Sequence, residues 1–318
     1  MIDISLVIPY YNESSTISKT LNLIDNQSFK PKEVIFINSS STDNSSEIID
    51  LWIDSQLDRN TINYFNIISN SNTPSSSKNI GIKKSNFDWI AFMDCGLFFS
   101  QNWLEDQVIQ LKKNGFKTNI VSGVCRLNGY SSFDMCAVAH TYGVGTNRVC
   151  IPGSLVNKEV FDSTGLFLEN MRASYDRAWQ MKTKKKNIDR VTPLKSNVSY
   201  IGINFSESTN SLIKKVILYS RPAVRIEGYY VPFIYILFSI LLISLSFYSL
   251  VYSLLALFCY TIIRGYFLPF YKSNDKISLI RNFKSILLLP FVGLLIDVSR
   301  LCGYILGFLN ELNDRNKN

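Results

Sequence analysis

Histidine occurs once in the 318 residues, and the six cysteines (95, 125, 136, 150, 259 and 302) form no CxxC pair and no metal-ligand spacing. That excludes a zinc-ribbon or disulfide framework and reads as a chain with reduced thiols. No basic n-region precedes an apolar run at the start; Met1 leads directly into a strand, so no signal peptide is expected. Residues 1–228 also lack a long apolar run and read as a soluble α/β domain. The deficiency then reverses: from Tyr229 to Ile263, about 35 residues contain no Lys, Arg or Asp. The net charge of +8 is concentrated too, with twelve Lys/Arg against three acids between Arg172 and Arg225. A basic zone ahead of a hydrophobic stretch marks the cytoplasmic side of a membrane and its anionic lipids. No nucleic-acid motif accompanies it, so nucleic acid is not an expected partner.

Within the first 200 residues, short apolar runs alternate with amphipathic ones. Strands are expected over Ile4–Pro9, Glu33–Asn38, Tyr64–Ile68 and Trp89–Met93. Helices are expected from a Ser14-Ser15 cap to about Gln27, from Asp43 to Leu57, over Ser75–Lys84, and from Gln101 onward. The pattern implies an α/β fold with a mostly parallel sheet sandwiched by helices. In such sheets ligands bind beyond the carboxyl ends of the strands, where the loops after Pro9, Asn38 and Met93 converge. Asp94 closes the central strand and leads into the Cys95-Gly96 turn.

Five motifs follow in order: SLVIPYYNE at 5–13, EVIFINSSSTDNS at 33–45, SSSKNIGIKKS at 75–85, DWIAFMDCGLFFSQNWLE at 88–105, and GSLVNKEVFDSTGLF running on to ENMRASYDRAW over 153–179. Together they resemble a family 2 glycosyltransferase of the GT-A nucleotide-sugar fold. The resemblance implies donor contacts from Pro9, Tyr11, Asn12, Glu13, Asn38, Ser39, Lys78 and Asp94. It implies a divalent cation, Mg²⁺ or Mn²⁺, at Asp94 together with substrate phosphates. It places Gly153, Ser154, Arg172 and Trp179 on the acceptor side and makes Asp176 the general base of an inverting transfer. The basic surroundings of Asp176 are expected to keep it ionised. Phe161 and Phe167 read as core, and Asp43 as a helix cap.

The sequence departs from the family's pattern at four acids. Asn38 and Ser39 replace a pair that reads the nucleotide base, which leaves UDP and dTDP sugars both open as donors. Gly96 replaces the second acid of the metal motif, and Tyr175 the first acid of the pair ending in Asp176. His140 is read as structural, or as a further metal ligand.

The expected organisation is a catalytic domain over 1–208, an amphipathic interfacial helix or linker over 209–228, a two-span membrane hairpin over 229–268, and a third spanning or interfacial helix over 285–309. Asp297 and Arg300 are spaced to pair on one helix face. Gly303 and Gly307 form a GxxxG that packs helices. The reading is a transferase in the inner or plasma membrane with its catalytic domain in the cytoplasm. It would act on a membrane lipid or lipid-linked saccharide in cell-envelope polysaccharide or glycolipid biosynthesis. The rivals are a catalytically weakened membrane scaffold, which the four replaced acids favour, and a nucleotidyltransferase on a similar sheet.

Overall fold

The computed structural model describes residues 2–56, 62–127, 129–196, 198–200 and 209–315. The strands are β1 (Ile4–Tyr10), β2 (Glu33–Asn38), β3 (Asn63–Ile68), β4 (Trp89–Phe92), β5 (Leu97–Phe99), β6 (Ile120–Leu127), β7 (Asn147–Asn157), β8 (Arg190–Val191) and β9 (Val198–Tyr200). The α-helices are α1 (Ile17–Asp25), α2 (Ser45–Gln56), α3 (Pro74–Lys84), α4 (Trp103–Lys113), α5 (Ser132–Thr141), α6 (Glu159–Thr164), α7 (Tyr175–Lys185), α8 (Thr209–Ser220), α9 (Val231–Tyr248), α10 (Leu250–Tyr260), α11 (Leu268–Lys272), α12 (Lys276–Arg281) and α13 (Phe283–Arg315). Two compact units emerge: residues 1–126 with 147–201, and residues 127–146 with 202–318. Residues 127–146, expected in the catalytic domain, thus group with the C-terminal unit. The expected domain end at 208 lies outside the described residues.

In the first unit the strand order is β3-β2-β1-β4-β7-β6-β9-β5, with β8 beside β6. β3, β2, β1 and β4 run parallel, as the alternating pattern implies. Every residue of β1 and β2 is buried, as strands covered on both faces require. β7 then enters antiparallel to both β4 and β6, a reversal that apolar runs alone do not encode. Pro9 lies inside β1 instead of ending it, with Tyr10 still in register with Asn38. The missing N–H does no harm there, because β4 pairs only with Ile4–Val7 and has ended beside Pro9. α1 starts at Ile17 with Thr16 before it, so the expected Ser14-Ser15 cap is displaced; the Ser14 amide instead donates to Asp43. Beneath β4, Phe92 meets Phe161 and Phe167 edge-on, and Trp179 stacks on Phe161 at 5.3 Å. This aromatic cluster fixes α6 and α7 against the central strand.

In the second unit three helices are long and apolar enough to cross a membrane: Val231–Tyr248, Leu250–Lys272 and Phe283–Asn313. The break between the first two falls at Ser249, and a π-helical turn over Thr261–Phe267 joins α10 to α11. α9 and α10 form a hairpin whose Tyr235 and Tyr260 hydroxyls both reach Asp297 of α13, at 2.9 and 2.8 Å. α13 does not run alongside this hairpin. Moving either way from Asp297, it meets residues near the hairpin's open end: Pro290 lies against Gly265, and Tyr304 and Phe308 against Tyr235 and Phe233. Gly303 and Gly307 do form a packing surface, and it is used within the chain. A Cβ on Gly303 would lie 2.7 Å from the Ser220 side chain and 2.8 Å from the Ile217 carbonyl of α8.

Gly303→Leu is expected to destabilise the full chain by about 1–3 kcal/mol through overpacking against that carbonyl. Leu312→Ala, on the exposed face of α13, should be near neutral. Thermal unfolding in detergent compares the two; equal melting temperatures would remove the α8–α13 contact from the account.

Candidate active site

The site is assembled by loops that bind one another before they bind anything else. After β1 the chain turns through Asn12, at φ +53°. Its side-chain carbonyl accepts from the Thr42 amide at 2.8 Å, while its own amide donates to Ser41. The Glu13 amide donates to Ser45, and Asp43 caps α2 by accepting from the Ser45 amide and hydroxyl. Asn38 is buried and accepts from the Ser41 amide at 2.7 Å; Ser39 is buried with its hydroxyl 2.7 Å from that of Ser77. Among the large apolar side chains of the first two motifs, Tyr11 is the exposed one, at 41%. Pro9 is buried in the strand.

α3 carries the most consequential side chains. Ser75 and Ser76 accept from the Met171 and Asn170 amides, each at 3.0 Å. Asn79 makes a two-bond clasp with the Phe167 backbone, at 2.9 and 3.0 Å. Lys78 is entirely buried; its ammonium bonds the Asp94 carboxylate and lies 5.6 Å from the Tyr175 ring centre. Burial alone would lower the lysine's pKa. Asp94 and Tyr175 more than offset that, so it stays charged above the ordinary lysine value. The Asp94 side chain remains 30% exposed, so one end of the pair is enclosed and the other faces solvent.

Tyr175, in the position where the resemblance implies an acid, packs against Lys78, and the next residue is Asp176 at the start of α7. Asp94 and Asp176 are therefore joined through a Lys78–Tyr175 contact. Burial raises the Asp176 pKa above the usual carboxylate range, with the Arg177 amide and charge and Lys78 acting against that rise. Arg172 and Arg177 are both exposed, and desolvation outweighs the basic surroundings expected to keep Asp176 ionised, although Arg177 and Lys78 do act in that direction.

The other acceptor-side residues are placed differently from one another. Ser154 is buried and donates to the Ile151 carbonyl, and Gly153, at φ +84°, offers its carbonyl to the Trp103 indole at 2.9 Å. Trp179 is core, its indole nitrogen donating to Thr164 at 3.0 Å. Phe161 and Phe167 are buried as expected. Three residues without a sequence signal join the acids: burial and the electrostatic influence of Asp94 raise the Tyr200 pKa, and the Cys125–Cys150 pair, bridging β6 and β7, feels Asp176.

Residues 5–134 match the family model described as glycosyl transferase family 2. Over that segment the chain resembles family 2 glycosyltransferases. It is 35% identical over 113 residues to an uncharacterised glycosyltransferase of Rickettsia bellii, covering 36% of this chain and 16% of that one. It is 28% identical over 129 residues to the poly-beta-1,6-N-acetyl-D-glucosamine synthase of Staphylococcus aureus, covering 41% of this chain and 30% of that one. The chain thus spans under a third of the length of either relative. Its fold is similar to that of the mannosyltransferase PcManGT from Pyrobaculum calidifontis, solved with GDP-Man and Mn²⁺. That likeness has a TM-score of 0.57 at 15% identity, over 94% of this chain and 86% of that one, and bears on the fold alone.

The described residues do not make a protein-held metal site. Gly96 supplies no ligand, Asp94 is already paired with Lys78, and among the described residues no three His, Cys, Asp or Glu stand close enough to hold an ion. His140 is no ligand either. Its Nε2 is 2.7 Å from the Leu289 carbonyl, and Nδ1 contacts Arg264, all within the C-terminal unit. Burial and the Arg264 charge push its pKa down to about 3, so the ring is neutral.

The ion pair predicts an asymmetry. Asp94→Asn leaves an ammonium with no water around it and should cost about 3–5 kcal/mol, whereas Lys78→Met frees a carboxylate that already reaches solvent and should cost less. Thermal unfolding of the two variants checks the order; a reversed order would place the uncompensated charge on Asp94.

Proposed function

We propose that the chain is a membrane-anchored, inverting glycosyltransferase that moves a sugar from a nucleoside-diphosphate donor to a hydroxyl of a membrane-proximal acceptor. The observation that carries this reading is the continuity from Asp94 through Lys78 and Tyr175 to Asp176. One acid sits at the end of the central strand, where nucleotides bind in such sheets, and the other opens the helix beside it. The three replaced or buried polar positions, Asn38, Ser39 and Tyr175, are all used to fix these loops.

The chemistry requires the acceptor oxygen to lose a proton as it attacks the anomeric carbon from the face opposite the leaving diphosphate. Asp176 takes that proton. Lys78 neutralises Asp94, so the diphosphate is not repelled by a lone carboxylate while that carboxylate's exposed edge accepts a donor hydroxyl. Tyr11 offers an exposed ring for the base to stack on. UDP and dTDP sugars are the donors to test. The acceptor would be a lipid-linked saccharide or glycolipid, since the basic segment before α9 holds the domain at an anionic, cytoplasmic membrane face. An envelope polysaccharide role agrees with the polysaccharide synthase named for the Staphylococcus aureus relative.

Calorimetric titration of the detergent-solubilised chain with UDP and dTDP tests the donor site. One nucleotide should bind, with affinity little changed by chelating Mg²⁺ and Mn²⁺ and reduced roughly tenfold or more in Asp94→Ala, the loss of a hydrogen bond to a charged group. Strict dependence on added metal would overturn the metal-free arrangement; no binding by folded protein would favour the scaffold reading, and pyrophosphate release would favour a nucleotidyltransferase. For the base, Asp176→Asn should lower turnover about 10²–10⁴-fold with donor affinity retained. The acid limb of the wild-type pH–rate profile should lie above that expected of a solvated aspartate, because a carboxylate with a raised pKa loses basicity at a higher pH.

A further inference from the structure

The C-terminal unit buries more positive than negative charge at one level of its helices. Asp297 receives Arg264 through two nitrogens, the second at 2.8 Å, and both Tyr235 and Tyr260. Arg264 is 8% exposed and its remaining nitrogen contacts the neutral His140. Arg300, one turn on, bonds the Tyr235 hydroxyl at 3.2 Å and stands 3.5 Å from Asp297. The expected Asp297–Arg300 pair is thus the weaker one; Arg264 has the carboxylate. Two guanidiniums face one carboxylate, and one positive charge is left over among helices that are otherwise apolar.

These groups line a cavity of about 400 Å³ between the α9–α10 hairpin and α13. Its polar end holds Arg264, Arg300 and Lys272, while Phe238, Leu242 and Leu257 line the part towards the hairpin's closed end. Tyr235 lies four residues inside the start of α9, and Arg264 eight residues before Lys272. At 1.5 Å per residue this puts the charges about 6–12 Å from the hairpin's open end. That is the depth at which the acyl region of a bilayer gives way to headgroups. Uncompensated charge at that depth is costly without a counter-ion.

We propose that this cavity binds an anionic lipid, its phosphate against Arg300 and Arg264 and its hydrocarbon chain along Phe238, Leu242 and Leu257. The site rests on the α9–α10 hairpin entering a membrane and not on the glycosyl transfer, so it stands even where the donor site fails. An apolar wall joined to a cationic end selects an amphiphile over either a free anion or a neutral lipid. Acyl and isoprenyl phosphates share that chemistry.

Native mass spectrometry of the full chain, released from detergent with dioleoyl phosphatidic acid, farnesyl phosphate, dioleoylglycerol or inorganic phosphate, tests it. Phosphatidic acid or farnesyl phosphate should be retained, and whichever is held more strongly identifies an acyl or an isoprenyl source. Dioleoylglycerol and inorganic phosphate should be retained at least tenfold less. Arg300→Met should reduce retention about tenfold by removing the surplus charge, and Leu257→Trp should do so by filling the chain end. Each variant is compared at a melting temperature within a few degrees of wild type. Equal retention of dioleoylglycerol, equal retention of inorganic phosphate, or unchanged retention in both folded variants would overturn the proposal.

Discussion

The catalytic half depends on the buried polar face of α3. Five of its side chains hold four different segments: Ser77 the loop after β2, Lys78 the end of β4, Ser75 and Ser76 the turn before α7, and Asn79 the backbone at Phe167. An apolar helix face would fill the same volume but fix none of these loops in direction. Hydrogen bonds and an ion pair, enclosed where water cannot compete, impose direction as well as contact. Asp94 and Asp176, the two acids of the proposed transfer, are thereby set relative to each other by a helix that supplies neither of them.

This accounts for the chain's tolerance of departures from the acids of the family it resembles. Asn38 keeps a side-chain carbonyl, which is what the Ser41 amide uses. Tyr175 lies beside the ammonium of Lys78 with an aromatic face and adds little charge, leaving that charge to Asp94. Gly96 turns at φ +77°, and a side chain there would approach the Glu13 carboxylate at 3.3 Å. Burial and neighbouring Asp94 already raise the Glu13 pKa, with the Thr16 hydroxyl opposing, so a further acid at 96 would crowd like charges.

Much of the architecture was legible from periodicity. Glu33–Asn38 was read to the residue, and the other three N-terminal strands within about one; β1, β2 and β4 are plain apolar runs because they are covered on both faces, whereas the edge strand β3 is largely exposed. β7 was not legible, since its eleven residues enter antiparallel through contacts made far away in sequence. The partners of the α3 serines were not legible for a related reason. By composition SSSKN looks solvated, and only its position between two loops shows that every hydroxyl has a partner. Trp179 and Ser154 illustrate the converse: a motif position states that a residue matters, not that it faces the ligand.

The exposed side of α13 has its own periodicity. Phe283, Leu287, Phe291, Leu294, Val298, Ile305, Leu309 and Leu312 recur at three, four and seven along one face, while the opposite face packs on α5 and α8. With the hairpin upright in a bilayer, a helix that crosses its open end lies along the membrane plane and presents this stripe to the acyl chains. It then occupies area in one leaflet only, whereas α9 and α10 displace lipid from both. In that orientation the area added to one leaflet favours bilayers whose curvature expands that leaflet.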